Sequence, residues 1–147
     1  MDDARGDKEH LGIDTNVLVS FLDVEHPDHK DTKRLTDAHA ATNPTIIHEA
    51  YHTLVYAQKW DRNQAIDVLI DYIDMDTTLF LNQTKEITKT GLSIGREYAL
   101  GGRDSLILAN FLSNGIRKMA TFDKSLLALD KISMGGRVMH IVLPFDI

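Results

Sequence analysis

The chain has 147 residues, a formal net charge of −6, 43% apolar and 26% charged residues, and no cysteine. That length suits one domain around one core, and the missing thiols exclude disulfides and thiolate zinc sites, so cytoplasmic residence is expected. No apolar run approaches the ~20 residues of a membrane span, and the acidic balance argues against a basic nucleic-acid binder without excluding an enzyme that meets phosphates through bound cations.

The first ten residues, MDDARGDKEH, are polar and acidic, unlike a secretion signal. They read as a disordered tail or expression remnant, leaving 11–147 as a single domain. Residues 11–14 read as a short buried strand, and Thr15 to about Phe21 as a helix. A polar, weakly periodic stretch follows, with Pro27 where a helix could begin. "NPTII" at 43–47 reads as a second strand, and "HEAYHTLVYAQ" as a helix with Ile46, Ala50, Leu54 and Ala57 on one face. "NQAIDVLIDYI" repeats that pattern with Ile66, Leu69, Ile70 and Ile73, and "TTLFLN" reads as a third strand.

From residue 83 a further helix sets Ile87, Gly91, Ile94 and Tyr98 on one side, until Gly101-Gly102 breaks it. "RDSLILANFLSNG" is apolar enough for a central buried helix. "KMATF" reads as a fourth strand, "KSLLAL" as a short helix and "VMHIVL" as the closing strand. This alternation predicts an α/β sandwich with a parallel sheet and helices on both faces.

Four acids stand out. Asp14 ends the first strand, Asp123 follows the fourth, Asp104 opens the central helix and Glu49 sits near the start of its own. Singly, each has an ordinary explanation, as a helix cap or as a charge at the positive end of a helix dipole. In a parallel sandwich such positions tend to converge at one edge of the sheet, beyond the carboxyl ends of the strands, where ligands bind. Converging carboxylates repel one another unless a cation is present, and an all-oxygen set of this kind suits Mg²⁺ or Mn²⁺ and phosphodiester hydrolysis. Thr15, Asn16, Thr121 and Ser125 adjoin the acids, positioned either to orient ligands or to make local turn hydrogen bonds.

Residues 48–52, HEAYH, also match H-E-x-x-H, in which two histidines bind zinc and the glutamate acts as general base. With seven histidines in the chain, roughly 0.01 such matches arise by chance. No third ligand follows His52, and a zinc metalloprotease would leave Asp14, Asp104 and Asp123 without a role. A protein that binds RNA without cutting is the other alternative, and it predicts a missing acid.

"IDTN", the Glu in "PTIIHEAYHTL", "GRDSLILAN" and "MATFDKSL" occur in the order found in PIN-domain nucleases. From about Leu11 to Leu143 the chain resembles that family, and within it most of all the VapC-type toxin ribonucleases of toxin–antitoxin pairs. The resemblance implies a three-layer α/β/α sandwich with a mainly parallel sheet and Mg²⁺- or Mn²⁺-dependent cleavage of RNA. It further implies a homodimer and a small antitoxin covering the cleft. By motif, Asp14, Glu49, Asp104 and Asp123 match the family's metal-binding acids, with Asn16 and Thr121 as polar companions. One departure is visible: many members carry another acid shortly after the last, whereas here Lys124, Ser125 and Leu126 follow Asp123, which leaves a second metal open. Arg103 and Lys124 flank two of the acids as candidate contacts to RNA phosphates.

Overall fold

The structure, a computed structural model, describes residues 9–146; residues 1–8 of the expected tail lie outside the described residues. His10, at the end of that stretch, sets its ring edge-on to His39 at 5.7 Å.

One six-stranded sheet organises the chain, in the order β3 (Thr78–Phe80), β2 (Ala40–Thr42), β1 (Leu11–Ile13), β4 (Lys118–Ala120), β6 (Arg137–Val142) and β5 (Lys131–Met134). All neighbours are parallel except β5 and β6. The helices are α1 (Thr15–Leu22), α2 (His29–Thr32), α3 (Pro44–Tyr56), α4 (Arg62–Ile73), α5 (Lys85–Tyr98), α6 (Gly102–Ser113) and α7 (Lys124–Leu127). They flank the sheet, giving the expected mainly parallel α/β sandwich. None of the described helices is long and apolar enough to cross a membrane.

The buried helix expected near the centre is α6, whose residues 107–112 and Ser105 are all buried. β1 runs against it so closely that a Cβ on Gly12 would stand 2.8 Å from the ring of Phe111. A polar clamp ties α6 to the other half of the sheet. Asn110, fully buried, accepts from Asn43 Nδ2 at 3.1 Å and donates to the carbonyls of Leu81 and Asn82. Buried amides of this kind persist only when their bonds are made.

Several expectations needed correction. The strand expected at 43–47 lies at 40–42 instead. Asn43 caps α3 by accepting from the Ile46 N–H at 3.0 Å, and Pro44 opens the helix. The β-branched run Thr45-Ile46-Ile47 suggested a strand, but the Asn-Pro pair before it is a helix start, and Pro at the first helical position sacrifices no bond. Glu49 therefore lies in the second turn of α3. Of the face proposed for this helix Ile46, Ala50 and Leu54 are buried, while Ala57 is exposed beyond its end.

In α4 the buried residues are Ala65, Leu69 and Tyr72, and Ile66 and Ile70 stay exposed. Only one narrow stripe meets the core, so counting every isoleucine placed the face wrongly. α5 stops before the Gly pair, at Ala99 in the left-handed region (φ 55°), and Gly101 becomes the N-cap of α6. β5 was not anticipated. It forms a hairpin with β6 through Gly135-Gly136, both at positive φ, as a two-residue turn of this type requires.

Candidate active site

β1 and β4 are neighbours, with Ile13 opposite Ala120, so the residues that follow them emerge side by side at the carboxyl edge of the sheet. Asp14 and Asp123 are those residues. Asp14 is only 7% exposed. Its Oδ1 accepts from the Thr15 N–H at 2.8 Å, capping α1, and its Oδ2 accepts from the Thr121 hydroxyl at 2.7 Å. Thr121 in turn accepts from the Asp123 N–H at 3.0 Å. Asp123 Oδ1 caps α7, accepting from the Ser125 hydroxyl at 2.6 Å and from the N–H groups of Ser125 and Leu126. The capping reading is thus correct for both acids, and it occupies only one oxygen of Asp123 in these bonds.

Glu49 reaches the same place from α3. Its Oε1 accepts from the Thr15 hydroxyl at 2.5 Å, and its Oε2 pairs with the Arg103 guanidinium. Asp104 arrives from the first turn of α6. The four acids line one cleft of about 550 Å³, together with Thr15, Asn16, Thr45, His48, His52, Thr53 and Arg103. Asn16 also accepts from the Phe122 N–H at 3.4 Å, lacing α1 to the end of β4. Thr121 is fully buried and bonded to Asp14, and Lys124 and Ser125 are exposed next to Asp123, outside the lining.

The charges are coupled. Burial raises the pKa of Asp14 above 3.8, the Thr121 and Thr15 bonds oppose it, and the charges of Asp104 and Glu49 add to the rise. Burial also raises Asp104, reinforced by Asp123 and partly offset by Arg103. Asp123 moves the other way, held down chiefly by its bond from Ser125. Asp14 and Asp104 thus carry desolvated, mutually repelling charge, the condition that a cation relieves. Arg103 partly offsets it at Asp104 and pairs with Glu49, and does not reach Asp14. Among the described residues no three His, Asp or Glu side chains are gathered closely enough to hold a metal ion as they stand.

A family profile, the PIN domain, matches residues 12–132. The chain belongs to the PIN-domain family. No curated protein matches the sequence. Among solved structures, VapC20 of Mycobacterium tuberculosis, described as a sarcin–ricin loop cleaving toxin, superimposes with a TM-score of 0.68 at 15% identity, over 84% of this chain and 98% of that one. A toxin–antitoxin complex from Klebsiella pneumoniae gives 0.63 at 20% identity, over 93% and 99%. VapBC2 from Rickettsia felis, bound to a DNA fragment from its promoter, gives 0.60 at 12% identity, over 81% and 92%. At these identities the likeness is one of fold, and the VapC-like PIN fold expected from the motifs is the fold observed.

Within this PIN domain the histidines of HEAYH are exposed on α3 at the rim of the cleft. His52 sets its ring against Tyr56, with centroids 4.7 Å apart. Sequence reading missed Thr45, Thr53 and the Asn43–Asn110 clamp. Thr45, which accepts from Gln83 Nε2 at 2.6 Å, sits in a run mistaken for a strand. Asn110 carried a usable signal, since a lone amide in the apolar run "LILANFL" must find partners inside.

Proposed function

We propose that residues 11–147 form one divalent-metal-dependent endoribonuclease domain, acting as the toxin of a toxin–antitoxin pair. The observation that carries this reading is that four carboxylates from four separate elements line one cleft at the carboxyl edge of a PIN-domain sheet. Asp14, Glu49, Asp104 and Asp123 are the residues that would hold Mg²⁺ or Mn²⁺, an all-oxygen donor set that suits these hard cations. When bound, such a cation polarises a phosphoryl oxygen and lowers the pKa of water.

The chain's own residues prepare that chemistry. The Thr121 hydroxyl fixes the carboxylate of Asp14, and the Thr15 hydroxyl aims Glu49 into the cleft. Asn16 joins α1 to the β4 end, keeping Asp14 and Asp123 in register. Arg103 neutralises Glu49 in the resting protein and turns to an RNA phosphate when a cation takes its place; Lys124 supplies a second phosphate contact farther out. The toxin role is supported by the fold shared with VapC20 and with the Klebsiella complex. It implies a homodimer in the cytoplasm and a small antitoxin whose basic side chain enters the acidic cleft.

The test is cleavage of a mixed RNA substrate in Mn²⁺ by wild type, Asp104→Asn and His52→Ala. Asn keeps the shape of Asp104 and removes its charge. Wild type and His52→Ala are expected to cut with similar kcat and Asp104→Asn not to cut. RNA left intact by wild type under every divalent metal would sink the nuclease reading, and zinc-dependent peptide hydrolysis lost only in His52→Ala would install the protease in its place.

A further inference from the structure

α3 presents more than Glu49 to the cleft. His48 and His52 line the rim, and one turn beyond His52 stands Tyr56. Spacing of i, i+4 and i+8 puts the three rings in one row. All three are exposed, while Ala50 and Leu54 on the other side of the helix are fully buried. The His52 and Tyr56 rings lie 4.7 Å apart with their planes tilted by 39°. At the outer end Arg62, in the first turn of α4, donates to the Tyr56 hydroxyl at 3.2 Å. At 1.5 Å per residue the row extends about 12 Å along the helix from His48 to Tyr56.

We propose that this row is a stacking track for single-stranded RNA, leading from the acidic cleft over His52 and Tyr56 to Arg62, which meets a backbone phosphate. The inference rests on the ribonuclease reading of the cleft and adds a binding site to it. Unpaired bases stack on histidine and tyrosine faces whatever their identity, whereas a duplex keeps its base faces inside. Arg62 is steadied by the side chains of Tyr56 and Tyr51, and its five-donor fork keeps further N–H groups for a phosphate. Asp61, the N-cap of α4, and Asp67 and Asp71 farther along it are exposed, with Lys59 the nearest exposed cation in the sequence, so this end of the row carries no basic patch. Stacking, rather than a field of positive charge, must therefore supply most of the grip. That combination explains how a chain of net charge −6 holds a polyanion.

The experiment uses the full chain carrying Asp104→Asn, so that the probe survives, with Mn²⁺ present. Fluorescence anisotropy follows binding of a fluorescein-labelled 12-nucleotide single-stranded RNA of mixed sequence. Tyr56→Ala weakens binding by roughly tenfold, the loss of one stacked base. Tyr56→Phe, which keeps the ring, stays within about twofold of its parent. Arg62→Gln lowers the slope of log affinity against log salt by about 0.7, one phosphate contact on a single strand. A 12-base-pair duplex of the same sequence competes poorly. Unchanged affinity in both Tyr56→Ala and His52→Ala, or equal competition by the duplex, overturns the track and leaves the row to a protein partner. Cleavage by the wild-type chain reports separately on the nuclease reading: a track that binds RNA in a protein that never cuts would retain this inference and discard that one.

Discussion

Replacing Thr121 by valine removes one hydroxyl and keeps the side-chain shape. In the folded protein that hydroxyl donates to Asp14 Oδ2 at 2.7 Å and accepts from the Asp123 N–H at 3.0 Å. Thr121 is fully buried and Asp14 nearly so, so water does not replace the first bond. A buried bond to a charged group is worth about 1.5–3 kcal/mol, and the neutral N–H bond, at a half-buried residue, adds about 0.5–1.5. Thr121→Val should therefore lose about 2–4 kcal/mol in the presence of EDTA, a large share of the ~5–15 kcal/mol that holds a domain together. At ~2–4 °C per kcal/mol, the melting temperature falls by roughly 4–16 °C.

The pH dependence of that loss follows from Asp14. Its folded-state pKa is raised above 3.8 by burial, so its contribution to stability is fully present below 3.8 and is lost as pH rises through the raised value. The Thr121 bond favours the ionised form, so removing it raises that pKa further and enlarges the loss at neutral pH. The deficit of Thr121→Val should be greatest at pH 8 and shrink as the pH falls towards 4. Urea denaturation of wild type, Thr121→Val and Thr121→Ser across that range measures it. Serine keeps the hydroxyl and should recover most of the loss. Equal stability at pH 8, or a deficit that stays constant down to pH 4, would refute the account of how Asp14 is held.

Further outcomes follow from other contacts. Gly12→Ala pushes a methyl against the Phe111 ring and should cost about 1–3 kcal/mol in urea melts, partly restored by Phe111→Leu in the same chain. Asn110→Leu strands the Asn43 amide and two carbonyls, so a loss of about 2–4 kcal/mol is expected, together with slower cleavage because Asn43 caps the helix that carries Glu49. Arg103→Gln frees Glu49 from its ion pair; titration calorimetry should find Mn²⁺ bound about two- to fivefold more tightly without RNA, the scale of an ion pair whose cation is exposed. Mn²⁺ affinity that falls instead would show that Arg103 does not compete with the cation.

The sequence by itself determined the alternation of strands and helices, the apolar run that became α6, and the placing of four acids near helix starts. These are local features, written in periodicity, caps and charge along a few consecutive residues. It was less reliable where two local signals competed. At Asn43-Pro44 the cap prevailed over the β-branched run behind it, and on α4 the amphipathic stripe proved narrower than its isoleucines suggested. The Gly135-Gly136 turn was a readable hairpin signal that went unused.

Only the tertiary structure decided which strands are neighbours. Asp14 meets Thr121 across 107 positions and Thr15 meets Glu49 across 34, and neither pairing is encoded by any short window. The burial that raises the pKa of Asp14 and the Arg103 ion pair are likewise products of assembly. Strand order and side-chain proximity come from packing one shared core, so residue types foretell the chemistry available and the fold decides which of it converges.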